Sequence, residues 1–576
     1  MNRLILLLSL SISVVQISFT QTGNISGIVT NRGLPLEFAT VGILNTDFGT
    51  STDANGAFNL SDIPFGDYEL IVSVVGFKTE KKSIVLSKEN KDISLNLSLV
   101  EMASLLDEIV ISGTRTERYR SDLPIAVQVL TSEAFEGTQA SCLAEGLNFQ
   151  PGLRMETDCQ TCNYTQLRMN GLGGGYSQIL INSRPIFSAL NGLYGLEQIP
   201  ANMIDRVEVV RGGGSALFGS SAIAGTVNVI TKIPKKNSYS VAVNQALIDG
   251  SASDNLINAN LTQVNKQANA GITLFASRRQ REEWDANDDD FSEIPRILNN
   301  SFGLNTFWQP TQKWRLDLSL NSISEIRDGG DLLDEAPHKR TQSENRTSNT
   351  LTGNLDVKYE INESQNISIY GGMQNTDRQH YTGIDGEDGY GNTDNYTLQS
   401  GVQYNRTFRD FLGGNNTFTL GTEYQLDDIF DEIPAYNYLI DQRAIQSGTF
   451  LQSDWVVNPK LTVLSGVRLT YHNLAERAVL TPRFSAMYSI LPNMKARFSY
   501  GRGFRAPQAF DADLHIAFAG GGISTIQLAD DLRSEFSDSF SASWDFDKAT
   551  ENYIFGFTIS GFYTNLKNVF GNLRHH

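Results

Sequence analysis

A glycine-rich stretch between two strand-like segments is the first place where this sequence could carry chemistry. Residues Ile204–Lys232 read IDRVEVVRGGGSALFGSSAIAGTVNVITK, with three consecutive glycines at 212–214. A phosphate-binding loop needs Lys and then Ser or Thr directly after its last glycine, whereas Ser215 and Ala216 follow here. A dinucleotide-binding unit needs a helix of ordinary length, and 215–225 leave room only for a short turn. The stretch therefore argues against nucleotide binding and predicts a backbone packed tightly against a neighbour.

Histidine side chains offer a second kind of chemistry, as general bases or as metal ligands. His338, His380, His472 and His515 each stand alone in the sequence, with no G-x-S-x-G nucleophile elbow near any of them. No hydrolase and no other enzyme is predicted.

The three cysteines are Cys142, Cys159 and Cys162. Two cysteines without a second ligand pair nearby are a weak zinc signal, so no metal site is predicted. In an oxidising compartment, a local disulfide between Cys159 and Cys162 is the better interpretation. No prediction is made for Cys142.

Charge and export signals narrow the class of protein. The 576 residues carry a net charge of -18, and such a chain repels phosphate backbones, so no nucleic-acid partner is predicted. Residues 1–20 have a positive start at Arg3 and an apolar core, which is typical of a secretory signal peptide. No later run of about 18 apolar residues predicts a membrane-spanning helix.

Short strand signals follow at 21–99, with turns at Asn55-Gly56 and Gly66-Asp67. Their spacing predicts a small β-sandwich. The pattern GxVxxxGxPLxxAxV…GTxTDxNGxFxLxxIPxGxYxLxVSxxG resembles the carboxypeptidase-regulatory-like domain, which precedes outer-membrane receptors in the Bacteroidetes group. No catalytic residues are predicted in this segment.

Residues 100–120 hold an apolar β-forming patch, Ile109-Val110-Ile111, behind two acidic residues. Such a patch could add to the edge of another protein's sheet, or it could be the first strand of the next domain. Residues 121–235 read as mixed α/β, with helix candidates starting near Thr131 and at Cys142.

From residue 236 to residue 576, apolar and polar residues alternate in segments of barrel length. In Trp314–Asn321, for example, Trp314, Leu316, Leu318 and Leu320 share one face. We count about fifteen such strands, without a helical interruption and with tight turns alternating with long polar loops. A soluble sandwich could use the same period, but these features favour a transmembrane barrel.

The glycine-rich stretch, read from Gln198 onward, resembles the end of the plug domain of TonB-dependent outer-membrane receptors. QLRMNG (Gln166–Gly171) and QILINSRPI (Gln178–Ile186) resemble two further plug segments, and GRGFRAP (Gly501–Pro507) resembles a barrel motif. LADDL (Leu528–Leu532) departs from the family's partner motif. The plug-motif residues are Arg168, Asn170, Gly171, Arg206, Glu208, Arg211, Gly212, Gly219 and Gly225.

The resemblance implies a mostly β fold: a mixed α/β plug at 121–235 inside a 22-stranded antiparallel transmembrane β-barrel, the strand number of plugged outer-membrane transporters. With about fifteen strands visible, the barrel is expected to be incomplete at the C-terminus of this chain. Arg206 and Arg211 are expected to form salt bridges between plug and barrel.

The resemblance also implies a function and partners. Asp107, Glu108, Ile109, Val110 and Ile111 match the TonB box, so TonB with its ExbB/ExbD energy complex is the expected partner. The other expected partners are outer-membrane lipid and an extracellular small-molecule ligand, around a monomeric barrel in the bacterial outer membrane. No intrinsic cofactor is implied. An adhesin is a weaker alternative, and so is a signal-relay receptor, because its extra α/β signalling domain is replaced here by a β-sandwich.

The ligand is expected to be an iron complex, a ferric siderophore or haem, with cobalamin or an oligosaccharide as alternatives. Haem receptors of the family commonly carry a haem-contacting histidine after the FRAP motif, and His515 lies there. Histidine is a natural axial ligand of haem iron.

We expect Cys159 and Cys162 to be joined in the exported protein. The closed loop is short, so the disulfide should stabilise the fold by less than the about 3 kcal/mol of a 15-residue loop. Mass spectrometry of non-reduced peptides measures the pairing. Two free thiols, or a bond from Cys142 to either residue, would contradict it.

Overall fold

The structure is a computed structural model. It describes residues 22–31, 33–44, 46, 48–74, 77, 79–99, 109–159, 164–186, 188, 190, 195–509, 517–519, 522–524, 529, 531–549 and 554–571. The chain divides into two compact units, and the smaller one contains the first eight strands. Each unit is described by itself.

The N-terminal unit is a β-sandwich of two four-stranded sheets. Its strands are β1 (Thr22–Asn31), β2 (Leu34–Pro35), β3 (Thr40–Ile43), β4 (Gly49–Ser51), β5 (Ala57–Pro64), β6 (Gly66–Ser73), β7 (Glu80–Leu86) and β8 (Asp92–Ser98). β1 pairs antiparallel with β5 and parallel with β8, while the second sheet has the order β4-β3-β6-β7. Alternating apolar residues from both sheets, including Ile25, Val41 and Leu70, form the buried core.

The strand β7 was not predicted from the sequence. Its first half, Glu80-Lys81-Lys82, is charged and exposed, and only Ile84 and Leu86 reach the core. Charged residues are frequent on edge strands because they discourage pairing with another chain. The charges therefore hide the apolar alternation on which strand prediction depends.

The plug begins with β9 (Ile109–Val110) and continues through small elements. They are β10 (Arg118–Tyr119), β11 (Val127–Thr131), α1 (Ser132–Gly137), α2 (Leu143–Leu147), β12 (Leu153–Cys159), β13 (Tyr164–Met169), β14 (Ser177–Ile181), β15 (Ile204–Arg211), α3 (Ser215–Phe218) and β16 (Gly225–Thr231), with 3-10 turns at Arg120–Asp122, Gly174–Tyr176 and Ala201–Met203. One sheet has the order β11-β15-β16-β14, and β12 pairs with β13. Every residue of β16 is buried, so this strand lies at the centre of the plug.

Within the described part of the chain, the barrel wall is one sheet of fifteen strands in sequential order. The strands are β17 (Ser238–Ile248), β18 (Ala252–Val264), β19 (Ala270–Arg281), β20 (Arg296–Thr311), β21 (Trp314–Gly330), β22 (Gln342–Asn362), β23 (Gln365–Ile384), β24 (Tyr390–Phe411), β25 (Gly414–Ile433), β26 (Tyr438–Asn458), β27 (Leu461–His472), β28 (Val479–Leu491), β29 (Met494–Arg505), β32 (Glu535–Ala549) and β33 (Ile554–Lys567). A hairpin of β30 (Ala517–Ala519) and β31 (Gly522–Ser524) and 3-10 turns at Pro337–Lys339 and Pro434–Tyr436 lie between strands. The predicted count of about fifteen strands is confirmed.

The polarity of the wall is inverted relative to a soluble protein. On β24, the buried face carries Thr393, Asn395 and Gln399, whereas Tyr396 and Val402 are exposed. The predicted alternation is confirmed on β27, where Arg468 and Thr470 are buried and Leu469 and Tyr471 are exposed. Polar residues facing the lumen and apolar residues facing outward are the pattern of a transmembrane barrel. Among the described residues, no helix has the length and apolarity needed to cross a membrane.

The plug's glycine-rich stretch packs directly on the barrel strand β29. A Cβ atom on Gly213 would lie 2.8 Å from the carbonyl carbon and oxygen of Gly501, closer than side-chain carbons approach backbone. Eight residues later, the Ser221 amide donates a 3.0 Å hydrogen bond to the Phe504 carbonyl. The Arg505 guanidinium lies 4.2 Å from the ring centre of Tyr176. The small residues of the plug and the GRGFRAP motif of the barrel therefore form one backbone-to-backbone contact.

We expect Gly213→Ala to loosen the plug, because the added methyl group meets rigid backbone rather than a movable side chain. Limited proteolysis of the receptor in detergent should show faster cleavage within residues 121–235. Gly137→Ala is the matched control, since nothing lies within 4 Å of a Cβ atom there. Equal cleavage of the two variants would contradict the close contact.

Candidate functional site

The predicted TonB box is folded into the plug. Ile109 and Val110 pair antiparallel with Tyr119 and Arg118, so their segment already has a strand partner. Val110 is fully buried, whereas Ile109 is 47% exposed. Asp107 and Glu108 lie outside the described residues. Since an added strand must form its own main-chain hydrogen bonds, this arrangement has to open before another protein could pair with the segment.

Val110 packs into a small apolar cluster that joins plug and barrel. Its neighbours are Leu123, Ile125, Val127 and Val210 of the plug and Leu464 of the barrel strand β27. Fully burying a valine side chain stabilises by about 1.5–3 kcal/mol. Docking of the segment is therefore favourable but modest in energy, which suits a contact that has to be reversible.

Three of the plug-motif residues shape the end of the β12–β13 hairpin. Arg168 pairs with Glu156 across the hairpin. Asn170 and Gly171 both have positive φ, and the Asn170 amide donates to the Gly152 carbonyl at 3.1 Å. Asn170 and Gly171 therefore turn the chain after β13, while Arg168 links the two strands of the hairpin.

The partners of Arg206 and Arg211 correct the prediction that these residues bridge plug and barrel. Arg206 pairs with Asp205 and with Glu208, and Arg211 donates to Gln128 and to the Pro151 carbonyl. All of these partners belong to the plug. The reason is position: β15 lies between β11 and β16 in the plug sheet, so its side chains reach plug neighbours first.

The glycines at 212, 219 and 225 all have positive φ, and the constraint is clearest at Gly225, where φ is +156°. A Cβ atom there would lie 2.3 Å from the Val210 carbonyl oxygen. Glycine is therefore required for β16 to start beside the end of β15.

A buried charge cluster centred on Glu423 of β25 links plug and barrel. Arg115 of the plug donates to its two carboxylate oxygens at 2.5 and 3.2 Å. Arg468 of β27 donates to it at 2.7 Å, and Tyr370 of β23 donates at 2.8 Å. Both arginines also donate to the Leu217 carbonyl in α3. The cluster thus ties the segment after the predicted TonB box to three barrel strands.

Burial favours the neutral form of Arg115 and lowers its pKa, but the facing charge of Glu423 more than offsets this effect. The net result is a pKa raised above the ordinary value for arginine. The guanidinium also lies 4.6 Å from the ring centre of Phe450 and 4.8 Å from that of Phe218. Aromatic rings stabilise a cation on their faces, and this is another reason for Arg115 to remain charged.

Further charged contacts surround the plug. Arg118 pairs with Asp454 at 2.7 Å, and Arg184 pairs with Asp356. On another side of the plug, Glu197 pairs with Arg327 at 2.7 Å. Burial alone would raise the pKa of Glu197. The charges of Arg327 and two neighbouring arginines outweigh this effect and lower the pKa to about 2.

These bridging residues were missed in the sequence, although GTR (Gly113–Arg115) and INSR (Ile181–Arg184) lie next to segments that were recognised. The barrel partners are separated from them by up to 336 residues. The local signal was limited to a basic residue three or four positions after an apolar β-forming patch.

Among the residues that the structure describes, the remaining candidates do not form a shared centre. Cys162 and His515 lie outside the described residues, so the disulfide and the haem contact stay predictions. Cys142 is buried as a free thiol, and burial raises its pKa to about 12. The Nε2–H group of His380 donates to the Asp431 carboxylate at 3.1 Å.

One acidic loop between β19 and β20 could present oxygen ligands. Asp285, Asp289 and Glu293 bring one carboxylate oxygen each within 4.8 Å of one another. The carboxylate of Asp285 already accepts the backbone N–H groups of Asn287 and Asp288. The loop is therefore stabilised by its own main chain.

Comparison with known families agrees with this architecture. Residues 254–575 match the family model "TonB dependent receptor-like, beta-barrel". Residues 120–226 match "TonB-dependent Receptor Plug Domain", and residues 25–111 match "CarboxypepD_reg-like domain". The barrel match alone covers more than half of the chain. The chain belongs to the TonB-dependent receptor family. Receptors of this family are outer-membrane proteins and not enzymes.

Individual relatives of this TonB-dependent receptor are distant. The vitamin B12 transporter BtuB of Vibrio vulnificus (strain CMCP6) is 24% identical over 410 residues, which cover 70% of this chain and 64% of the transporter. The iron-regulated outer membrane virulence protein of Vibrio cholerae (strain ATCC 39541 / Classical Ogawa 395 / O395) is 22% identical, over 70% of this chain and 61% of that protein. The chain thus spans less than two thirds of the length of these relatives.

Solved structures show the same fold. The ferric enterobactin receptor PfeA of Pseudomonas aeruginosa, as a point mutant in complex with enterobactin, superposes with a TM-score of 0.62 at 17% identity, covering 75% of this chain and 71% of PfeA. The siderophore receptor PirA of Pseudomonas aeruginosa gives 0.59 at 16% identity, over 75% and 73% of the two chains.

We expect Glu423→Gln to weaken plug docking in this TonB-dependent receptor, because Arg115 and Arg468 would stay buried without their shared counter-charge. Breaking a buried pair by removing one partner costs about 3–5 kcal/mol. Hydrogen exchange of residues 109–123 in detergent should accelerate. Glu363→Gln, at an exposed pair with Arg409, is the control and should change nothing measurable. Unchanged exchange in Glu423→Gln would show that the cluster does not hold this segment.

Proposed function

We propose that the chain is the receptor for energised uptake of a scarce nutrient across the outer membrane, with TonB as the energy-transmitting partner. The observation that carries this proposal is the state of residues 109–111. Ile109 and Val110 form a two-residue β-strand in which Val110 is fully buried, at the start of a plug that is held to the barrel by charged contacts. A strand whose pairing covers only two residues on each side is suited to capture by β-strand addition once it opens.

Charged contacts are also suited to release. A buried ion pair gains little over the hydrated ions, because desolvation offsets much of the attraction. If water enters as the plug moves, Arg115, Arg118 and Arg184 can exchange their carboxylate partners for hydration. A lumen packed with apolar side chains would offer no such replacement.

The transported ligand is proposed to be an iron complex, first a ferric siderophore. The fold is shared with the siderophore receptors PfeA and PirA, and the Vibrio cholerae relative is iron-regulated by name. Cobalamin is the second candidate, since the Vibrio vulnificus relative is a vitamin B12 transporter. Haem stays a candidate through His515 alone.

Ligand identity is tested on receptor purified from its own cells. Co-purified iron without a Soret band would support a siderophore, a Soret band would indicate haem, and co-purified cobalt would indicate cobalamin. Receptor that binds none of these, as isolated or after addition of each compound, would contradict the proposed ligand class.

We expect Val110→Pro to abolish energised uptake and leave ligand binding intact. Proline has no N–H group to donate to an added strand. The control is Val110→Ala, which keeps the donor and should keep uptake. Cells accumulating labelled ligand measure transport, and binding to isolated outer membranes measures the receptor step. Normal uptake by the proline variant would exclude residues 107–111 as the TonB box.

A further inference from the structure

The buried carboxylate of Glu208 holds the end of the predicted TonB box. One of its oxygens accepts the backbone N–H groups of Ile111 and Ser112, each at 2.9 Å, and the Ser112 hydroxyl at 2.7 Å. The other oxygen accepts from Arg206 at 2.9 Å. Glu208 is 0% exposed. Three of its hydrogen-bond donors therefore come from the last residue of the box and the residue that follows it.

This arrangement makes the segment and Glu208 depend on each other. A buried carboxylate needs donors, and hydrogen bonds to charged groups stabilise more than hydrogen bonds between neutral groups. If residues 111–112 left, Glu208 would keep only Arg206 in the centre of the plug sheet. Departure of residues 111–112 therefore leaves the Glu208 carboxylate without most of its donors, and water would have to replace them.

The same contact competes directly with strand addition. An added strand pairs through main-chain N–H and C=O groups. The Ile111 N–H is occupied by Glu208, and Val110 is paired with Arg118. The β9–β10 pairing involves only two residues on each side, so the Glu208 contact is the stronger restraint on the box.

A chain of buried polar groups connects this contact to the barrel wall. Asn228 of β16 donates to the Ser112 hydroxyl at 2.8 Å and to the Ser183 hydroxyl at 2.9 Å. The Ser183 amide donates back to Asn228 at 2.8 Å. The next residue, Arg184, pairs with Asp356 and lies 3.6 Å from the ring centre of Tyr370.

Tyr370 of β23 also contacts the plug segment that follows the predicted TonB box. Its hydroxyl accepts from Arg115 at 3.2 Å, three residues beyond Ser112. The barrel strand β23 thus contacts the segment directly through Arg115 and indirectly through Arg184, Ser183 and Asn228. A shift of the turn at Asn182–Arg184 against the barrel would act on Ser112 through two hydrogen bonds.

We propose that Glu208, with Ser112 as its bridge to Asn228, is the latch that keeps the TonB box closed. Glu208 is a positioning residue: it acts on the box and touches neither ligand nor partner. The inference rests on the proposed function, because a closed box matters only if residues 107–111 are captured by TonB.

The test compares hydrogen exchange in full-length receptor in detergent, for the wild type, Ser112→Ala, Glu208→Gln and Glu197→Gln. We expect exchange of peptides covering 109–116 to accelerate at least tenfold in Ser112→Ala and Glu208→Gln. Glu197→Gln also removes a buried plug carboxylate, but one without contact to the box. It should accelerate exchange near residues 195–199 only.

Two outcomes would overturn the latch. One is unchanged protection of 109–116 in Ser112→Ala, a variant that keeps the charge of Glu208 and changes little volume. The other is equal acceleration of 109–116 in Glu197→Gln, which would indicate general loosening of the plug.

A second measurement separates the latch from the proposed function. The purified C-terminal domain of TonB should bind Ser112→Ala more tightly than wild type, by the factor by which the open fraction rises. Faster exchange with unchanged TonB affinity would support the latch and contradict the assignment of the box. Faster exchange with tighter binding supports both.

Discussion

The carboxylate of Glu423 is the shared counter-charge of two buried arginines, Arg115 and Arg468. The position of the plug segment after residue 109 depends on this double ion pair. Arg115 reaches the carboxylate from the plug and Arg468 from the wall, and both also bond the Leu217 carbonyl. In the interior, an isolated charge is far more expensive than a paired one. The carboxylate therefore fixes the distance between the N-terminal segment of the plug, the short helix α3 and the strands β25 and β27.

Two of the contacts between the plug and the wall differ in their physical basis. At β29, glycine backbone lies against glycine backbone, and no side chain of the pair Gly213 and Gly501 intervenes. At β21–β26, the contact consists of arginines and carboxylates with aromatic rings over them. The first contact depends on shape and tolerates no added atom. The second depends on charge and can exchange protein partners for water, so the two sides of the plug respond differently to hydration.

The sequence indicates those features that depend on local pattern. Alternation predicts the fifteen wall strands because polar residues predominate on the inward face and apolar residues on the outward face over long runs. The length of 215–225 predicts the single short turn of helix there, and α3 is four residues long. The strand β7 is not predicted from the sequence because its charged half interrupts the apolar alternation.

Partners distant in the chain could not be predicted in the same way. Arg206 and Arg211 look like bridging residues because they flank a recognised motif, yet their strand lies inside the plug sheet. The one local signal of Arg115 is its place four residues after an apolar patch, and its partner Glu423 is one of many lumen-facing acids. Pairing of this kind is set by which barrel strand faces which plug segment, and a single sequence contains no record of that.

The inverted polarity of the wall also constrains how the barrel can assemble. Because side chains alternate with a period of two, a slip of one residue in the pairing of β26 with β27 would turn every side chain of β27 to the opposite face. Arg468 would then point into lipid, where an arginine near the bilayer midplane costs about 2–4 kcal/mol, and Leu469 and Tyr471 would enter the lumen. The lumen charges that hold the plug in the finished protein thus also penalise misregistered strands before any plug is in place.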